Sequence, residues 1–195
     1  SRRQDSSAVF HTTPGPRHAH ELAKRRQIAT GDQRQGDALV LAPVAGIDLE
    51  RHLQQHPQPP LPEVAAFFKE LVDITAYLHH QGIVHHDLRP ANFILDEDGR
   101  LCLLDLGIAA DHDTPDPITA SGMGPQGDVR YMSPEQWAGR RGDSRADIYT
   151  LGVLLYRMIT GRLPFEDSKT AYNALAHGSE PIMPPSHWQP GLPQA

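Results

Sequence analysis

His85-His86-Asp87-Leu88-Arg89-Pro90-Ala91-Asn92, followed downstream by Asp105-Leu106-Gly107, is the stretch on which the reading of this chain turns. Between the two lies a hairpin pattern: Phe93-Ile94-Leu95, a turn at Asp98-Gly99, then Leu101-Cys102-Leu103-Leu104. Two short apolar strands joined by a glycine-containing turn bring the chain back to where it started. Asp105 is therefore expected on the wall opposite Asp87 and Asn92. Oxygen-bearing side chains converging on one cleft suit a hard divalent cation.

Outward from this stretch, the flanking pattern is helical. Upstream, Val64, Phe67, Phe68, Leu71, Ile74 and Leu78 form an apolar stripe of helical period, with Pro62 in the first turn and Gly82 closing the end. Before it, Asp48 reads as the N-cap of a short helix carrying Leu49 and Leu53 on one face, after a break at Gly46. The run Ala38-Leu39-Val40-Leu41-Ala42 reads as a buried strand, and residues 1 to 37 are polar with turn signals. Downstream, residues 108 to 130 lack periodicity, a length that in a compact domain points to a functional loop. Ala146 to Thr160 is the strongest helix, closed by Gly161.

The bulk properties bound the answer. With 195 residues the chain is long enough for one domain with a sizeable core, and 38% hydrophobic residues suit a globular protein. A net charge of −6 argues against a general nucleic-acid or anionic-membrane binder. The apolar window from Ile148 to Ile159 is too short to span a bilayer, so no membrane segment is expected. Cys102, the single cysteine, cannot form an internal disulfide, which favours a reducing, cytoplasmic setting. The chain opens at Ser1 without methionine and stops after a proline-rich run, so truncation at both ends is expected.

Phosphoryl transfer needs a carboxylate to orient the attacking hydroxyl and accept its proton, oxygen ligands for a metal, and positive charge near the transferring group. The quoted residues resemble the catalytic loop H-R-D-L-x-x-x-N and the D-F-G element of protein kinases. Tyr131-Met132-Ser133-Pro134-Glu135 resembles the A-P-E element, and Asp147 to Gly152 resembles the start of the central C-lobe helix. The phrasing around them is similar to bacterial Hanks-type Ser/Thr kinases, over about two-thirds of the chain.

That resemblance implies an α+β, protein-kinase-like fold: residues 1–45 an N-lobe remnant and hinge, and 46–195 a mainly α-helical C-lobe, incomplete at its C-terminal end. It implies ATP and Mg²⁺ as cofactors and a protein substrate with a Ser or Thr acceptor. Asp87 would be the catalytic base, and Arg89 would stand where a phosphate-contacting lysine is usual. Asn92 and Asp105 would hold the metal. Leu41 matches the gatekeeper, the backbone of Ala42 and Val44 would meet the adenine edge, and Ile94 would floor the ring. Asp147 would bond the backbone of the catalytic loop, and Glu135 would pair with an arginine of a later helix.

Several positions depart from the family pattern. No glycine-rich phosphate loop is present, and none of Lys24, Lys69 and Lys169 sits where the nucleotide-anchoring lysine is expected. His86 replaces the arginine of H-R-D, and Leu106 replaces phenylalanine. Asp128 stands where threonine is usual, and its carboxylate is expected to repel Asp87. These changes keep a second reading open, a pseudokinase scaffold that binds partners without phosphoryl transfer. A small-molecule phosphotransferase of the aminoglycoside-kinase type shares the His-x-Asp loop but lacks the two later elements. His79, His80, His85 and His86 tempt a metal site, yet a helix end between the pairs separates them.

Overall fold

The computed structural model describes residues 10–11, 45–104, 109–111, 127–140, 142–166 and 181–192. In chain order the elements are β1 (Phe10–His11), β2 (Gly46–Asp48), α1 (Leu49–Gln55), α2 (Leu61–His80), β3 (Ile83–Val84), β4 (Phe93–Asp96), β5 (Leu101–Leu103), β6 (Ala110–Asp111), α3 (Pro134–Trp137), α4 (Ser144–Thr160) and α5 (Pro185–Trp188). A single 3₁₀ turn, Pro90–Asn92, precedes β4. The arrangement is α+β, with helices packed beside a small antiparallel sheet.

The predicted stripe buries Val64, Phe67, Leu71, Ile74 and Leu78 along α2. Helix α2 lies against α4, whose Leu151, Leu154 and Met158 join the same core. Each helix is followed within two residues by a left-handed glycine, Gly82 (φ 71°) after α2 and Gly161 (φ 71°) after α4. Helix α4 starts at Ser144, two residues before the apolar pattern begins, because Asp143 caps it by accepting the Arg145 N–H at 2.9 Å. That first turn is polar, so hydrophobic periodicity does not register it. Helix α1 matches expectation, with Asp48 accepting the Arg51 N–H at 2.8 Å and Leu49 and Leu53 buried.

The sheet runs in the order β1-β5-β4-β2, all antiparallel neighbours. The expected hairpin forms with Phe93 opposite Leu103 and Ile94 opposite Cys102. Asp96 shapes its turn by accepting the N–H groups of Asp98 at 3.0 Å and Arg100 at 2.9 Å. Glu70 of α2 accepts the Leu101 N–H at 2.6 Å, fixing the hairpin to the helix. Cys102 is fully buried, and burial pushes its thiol up to about 11, which suits packing rather than reactivity. Among the described residues no helix is long and apolar enough to cross a membrane. The strand expected at Ala38 to Ala42 and most of the 108–130 loop lie outside the described residues.

Candidate active site

The loop from His85 to Asn92 takes its shape from behind. Asp147, in the first turn of α4, is only 1% exposed, and its carboxylate accepts three hydrogen bonds. The backbone N–H groups of His85 and His86 donate at 2.9 and 2.8 Å, and the His79 Nε2 donates at 2.8 Å. Burial works to raise the Asp147 pKa, but His79 and the two amides outweigh it and hold the carboxyl below the ordinary value. His86 is the one non-glycine residue with positive φ (66°) among the described residues. Its carbonyl accepts from Gln136 Nε2 at 2.9 Å, so α3 grips the same residue from the other side. Leu88, 1% exposed, plugs the loop into the core.

This backing presents Asp87 toward the front. The 3₁₀ turn closes with the Asn92 N–H donating to the Arg89 carbonyl at 2.9 Å, which swings the Asn92 side chain back over the loop. The Asn92 Nδ2 donates to the Asp87 carbonyl at 2.8 Å and to Asp87 Oδ2 at 3.0 Å. Arg89 forms an ion pair with the same Oδ2, its Nε at 3.3 Å. The other oxygen, Oδ1, accepts the Asp128 N–H at 3.2 Å. Gly127 (φ 108°) lets the chain pass this close, since a Cβ there would lie 2.7 Å from Asp87 Oδ1.

The donor set fits a hard cation on the Asn92 side. With Nδ2 committed to Asp87, the Asn92 side-chain oxygen has no donor among the described residues and is left to coordinate. The Leu104 N–H donates to the Asn92 carbonyl at 2.7 Å, so the hairpin returns the chain beside Asn92 one residue before Asp105. Asp105 itself lies outside the described residues, as do Leu41, Ala42 and Val44. Ile94 sits half-buried in β4, opposite Cys102 on one side and Asp48 on the other. Among the predicted site residues, then, Asp87, Arg89 and Asn92 meet directly, and Ile94 follows two residues after Asn92 on the adjoining strand.

The expected repulsion between Asp128 and Asp87 is corrected by the geometry. Arg130 lays its fork on Asp128, with Nε at 3.0 and 3.2 Å from the two oxygens and Nη2 at 2.6 Å from Oδ2. Burial would raise the Asp128 pKa, but Arg130 overcomes it and the carboxyl is held low, its charge matched locally. The contact Asp128 makes with Asp87 runs through its backbone N–H, an attraction.

Sequence reasoning missed four contributors. His79 carries no role in the sequence reading once the metal site is set aside, yet it donates to Asp147. Gln136 was overlooked beside the quoted Glu135. Arg130 had a legible signal: an arginine two residues after an aspartate in a turn, where side chain and backbone can both reach the carboxylate. The fourth is a cluster in which Arg157 of α4 pairs with Glu50 of α1 at 2.6 and 2.7 Å and donates to the Tyr131 hydroxyl. Burial pushes that hydroxyl up to about 12. Its members are far apart in sequence, and no spacing rule connects them.

Comparison with known proteins gives the context of this geometry. Residues 27–189 match the family described as protein kinase domain. The chain is similar to serine/threonine-protein kinase Pkn1 of Myxococcus xanthus, 40% identical over 136 residues, 68% of this chain and 20% of that protein. It is similar to serine/threonine-protein kinase PrkC of Bacillus subtilis, 32% identical over 162 residues, 80% of this chain and 24% of that protein. It is also similar to the probable serine/threonine-protein kinase PknB of Bifidobacterium longum, 40% identical over 118 residues, 60% of this chain and 17% of that protein. The chain spans about a fifth of the length of these curated relatives.

Proposed function

This chain belongs to the protein kinase family, and we propose that the protein carrying it transfers the γ-phosphate of ATP to a serine or threonine hydroxyl of a protein substrate. The observation that carries the reading is the Asp87 carboxylate, fixed by Asn92, Arg89 and the Asp128 N–H on a loop held from behind by Asp147. ATP with a divalent cation, Mg²⁺ in this proposal, supplies the phosphoryl group and neutralises its charge when bound. Everything else falls to the chain's own residues. Asp87 orients the acceptor hydroxyl and takes its proton, with Oδ1 and Oδ2 held at fixed angles by neighbouring donors. Asn92, through its free amide oxygen, and Asp105 would hold the cation. Arg89 brings positive charge to the edge of the same carboxylate.

The adenine contacts assigned to Leu41, Ala42, Val44 and Ile94 belong to the proposal, as does a boundary between an N-lobe remnant and a C-lobe near residue 45. A cytoplasmic setting is supported by Cys102, the single cysteine of the chain, which has no second cysteine to form an internal disulfide with. The net charge of −6 supports protein rather than nucleic acid as the partner. Of the departures that keep the scaffold reading open, which include His86 and the lack of a glycine-rich loop in this chain, the Asp128 charge is matched by Arg130, and nothing in the comparisons favours a scaffold.

Asp87→Asn tests the proposal. Phosphorylation of a generic protein substrate by the protein carrying this chain should fall at least about hundredfold. Its thermal unfolding should stay within about 2 °C of wild type. Unchanged turnover would refute the role given to Asp87.

A further inference from the structure

Two carboxylates occupy the front of the catalytic loop, and one backbone N–H joins them. Asp128 donates its N–H to Asp87 Oδ1 at 3.2 Å, which holds its own side chain beside the same site. That side chain is 12% exposed, so its charge needs a partner. Two arginines flank the pair of carboxylates, one on each. Arg89 forms an ion pair with Asp87 Oδ2 at 3.3 Å, and its charge is also felt at Asp128. Arg130, 41% exposed, places Nε and Nη2 on both Asp128 oxygens, and its backbone N–H adds a fourth contact to Oδ1 at 3.1 Å. Asp128 is thereby satisfied from the solvent side.

We infer that Arg130 is a positioning residue for Asp87: by matching the charge of Asp128 it leaves Arg89 committed to the catalytic carboxylate. Remove the Arg130 guanidinium and Asp128 becomes a mostly buried anion without its clamp, joined through its N–H to the carboxylate that Arg89 also pairs with. Arg89 is then drawn from Asp87 toward Asp128, and the proton acceptor loses its charge partner while Asn92 and the Asp128 N–H still hold its angle. The Asp128-x-Arg130 pair thus lets an aspartate stand where the family usually has an uncharged side chain. This inference rests on the kinase reading for its catalytic consequence, but its electrostatic core does not.

The test uses the protein carrying this chain, as wild type, Arg130→Ala, and Arg130→Ala combined with Asp128→Asn. Arg130→Ala should lower kcat about tenfold while KM for the protein substrate moves less than about threefold. Its melting temperature should fall by about 3 °C or more. Adding Asp128→Asn removes the unmatched charge without touching the backbone N–H, and should restore kcat to within about threefold of wild type together with most of the lost melting temperature. A tether that merely steadies the turn predicts no such rescue. The inference is overturned if Arg130→Ala changes neither quantity, or if the double variant stays as impaired as the single one. Should wild type phosphorylate nothing, the kinase reading fails on its own. Melting still decides the inference then, since recovery in the double variant sustains it and absence of recovery overturns it.

Discussion

Two aspartates flank the loop from His85 to Asn92, and they are held in opposite ways. Behind the loop, Asp147 is 1% exposed and collects donors from three residues more than sixty positions upstream. In front, Asp128 is clamped by a residue two positions away, and Arg130 is open to water. The rear carboxylate shapes backbone: without it two buried N–H groups lose the acceptor that Asp147 gives them. The front carboxylate shapes charge: its own N–H does the structural work, and its side chain has to be kept quiet. One residue type on two sides of one loop therefore does two jobs, and burial decides which.

The largest expected effect comes from the rear. Asp147→Ala orphans the His85 and His86 amides, and chemical denaturation should show a loss of about 3–5 kcal/mol with activity gone. Acid gives the same contrast without a cavity. The Asp147 carboxyl is held below its ordinary 3.8 in the folded protein, so its contribution to stability is fully present above that value. The contribution fades as pH falls through the lower folded pKa. The stability gap between wild type and Asp147→Asn should therefore close progressively below about pH 4. A gap that does not narrow would mean that the carboxylate's charge is not what holds the loop.

A smaller effect should follow at the Glu50–Arg157 pair, which stands between the two extremes. Its side chains are 21% and 15% exposed, and it joins α1 to α4 and to Tyr131 of the front turn. Arg157 holds the Glu50 carboxyl below its ordinary range, against the opposing pull of burial. Glu50→Gln should cost about 1–2 kcal/mol in denaturant unfolding, with partial exposure keeping it below a fully buried pair. If the loss matches that of Asp147→Ala, burial is not the variable that separates these carboxylates.

The parts of this molecule legible in the sequence are those written as local patterns. The α2 stripe, the α1 cap at Asp48, the hairpin from Phe93 to Leu103 and the glycine past each long helix each follow from residues close in sequence. Asp87 with Asn92 was legible because five residues of loop can close on themselves through one amide. Asp147 was legible through its motif, but His79 as its partner was not, because a histidine at a helix end carries no mark of what it will face. The Asp128 carboxylate reads as a repulsive charge when taken alone, and the side chain that matches it lies two residues on. The Tyr131–Arg157–Glu50 cluster was invisible, since only tertiary packing brings α1, α4 and the front turn together.

The Asp147 bonds also fix an order of events. The amides they hold sit 61 and 62 residues earlier in the chain, and the left-handed turn at His86 has no intrinsic preference to keep it. On a ribosome, the loop that carries Asp87 therefore emerges as unshaped ribbon and waits until the first turn of α4 is made. Nascent chains halted before residue 143 should be clipped by protease within 85–92, and chains released past Gly161 should not. The growing protein gains the shape of this loop late, once the helix that holds it has been translated.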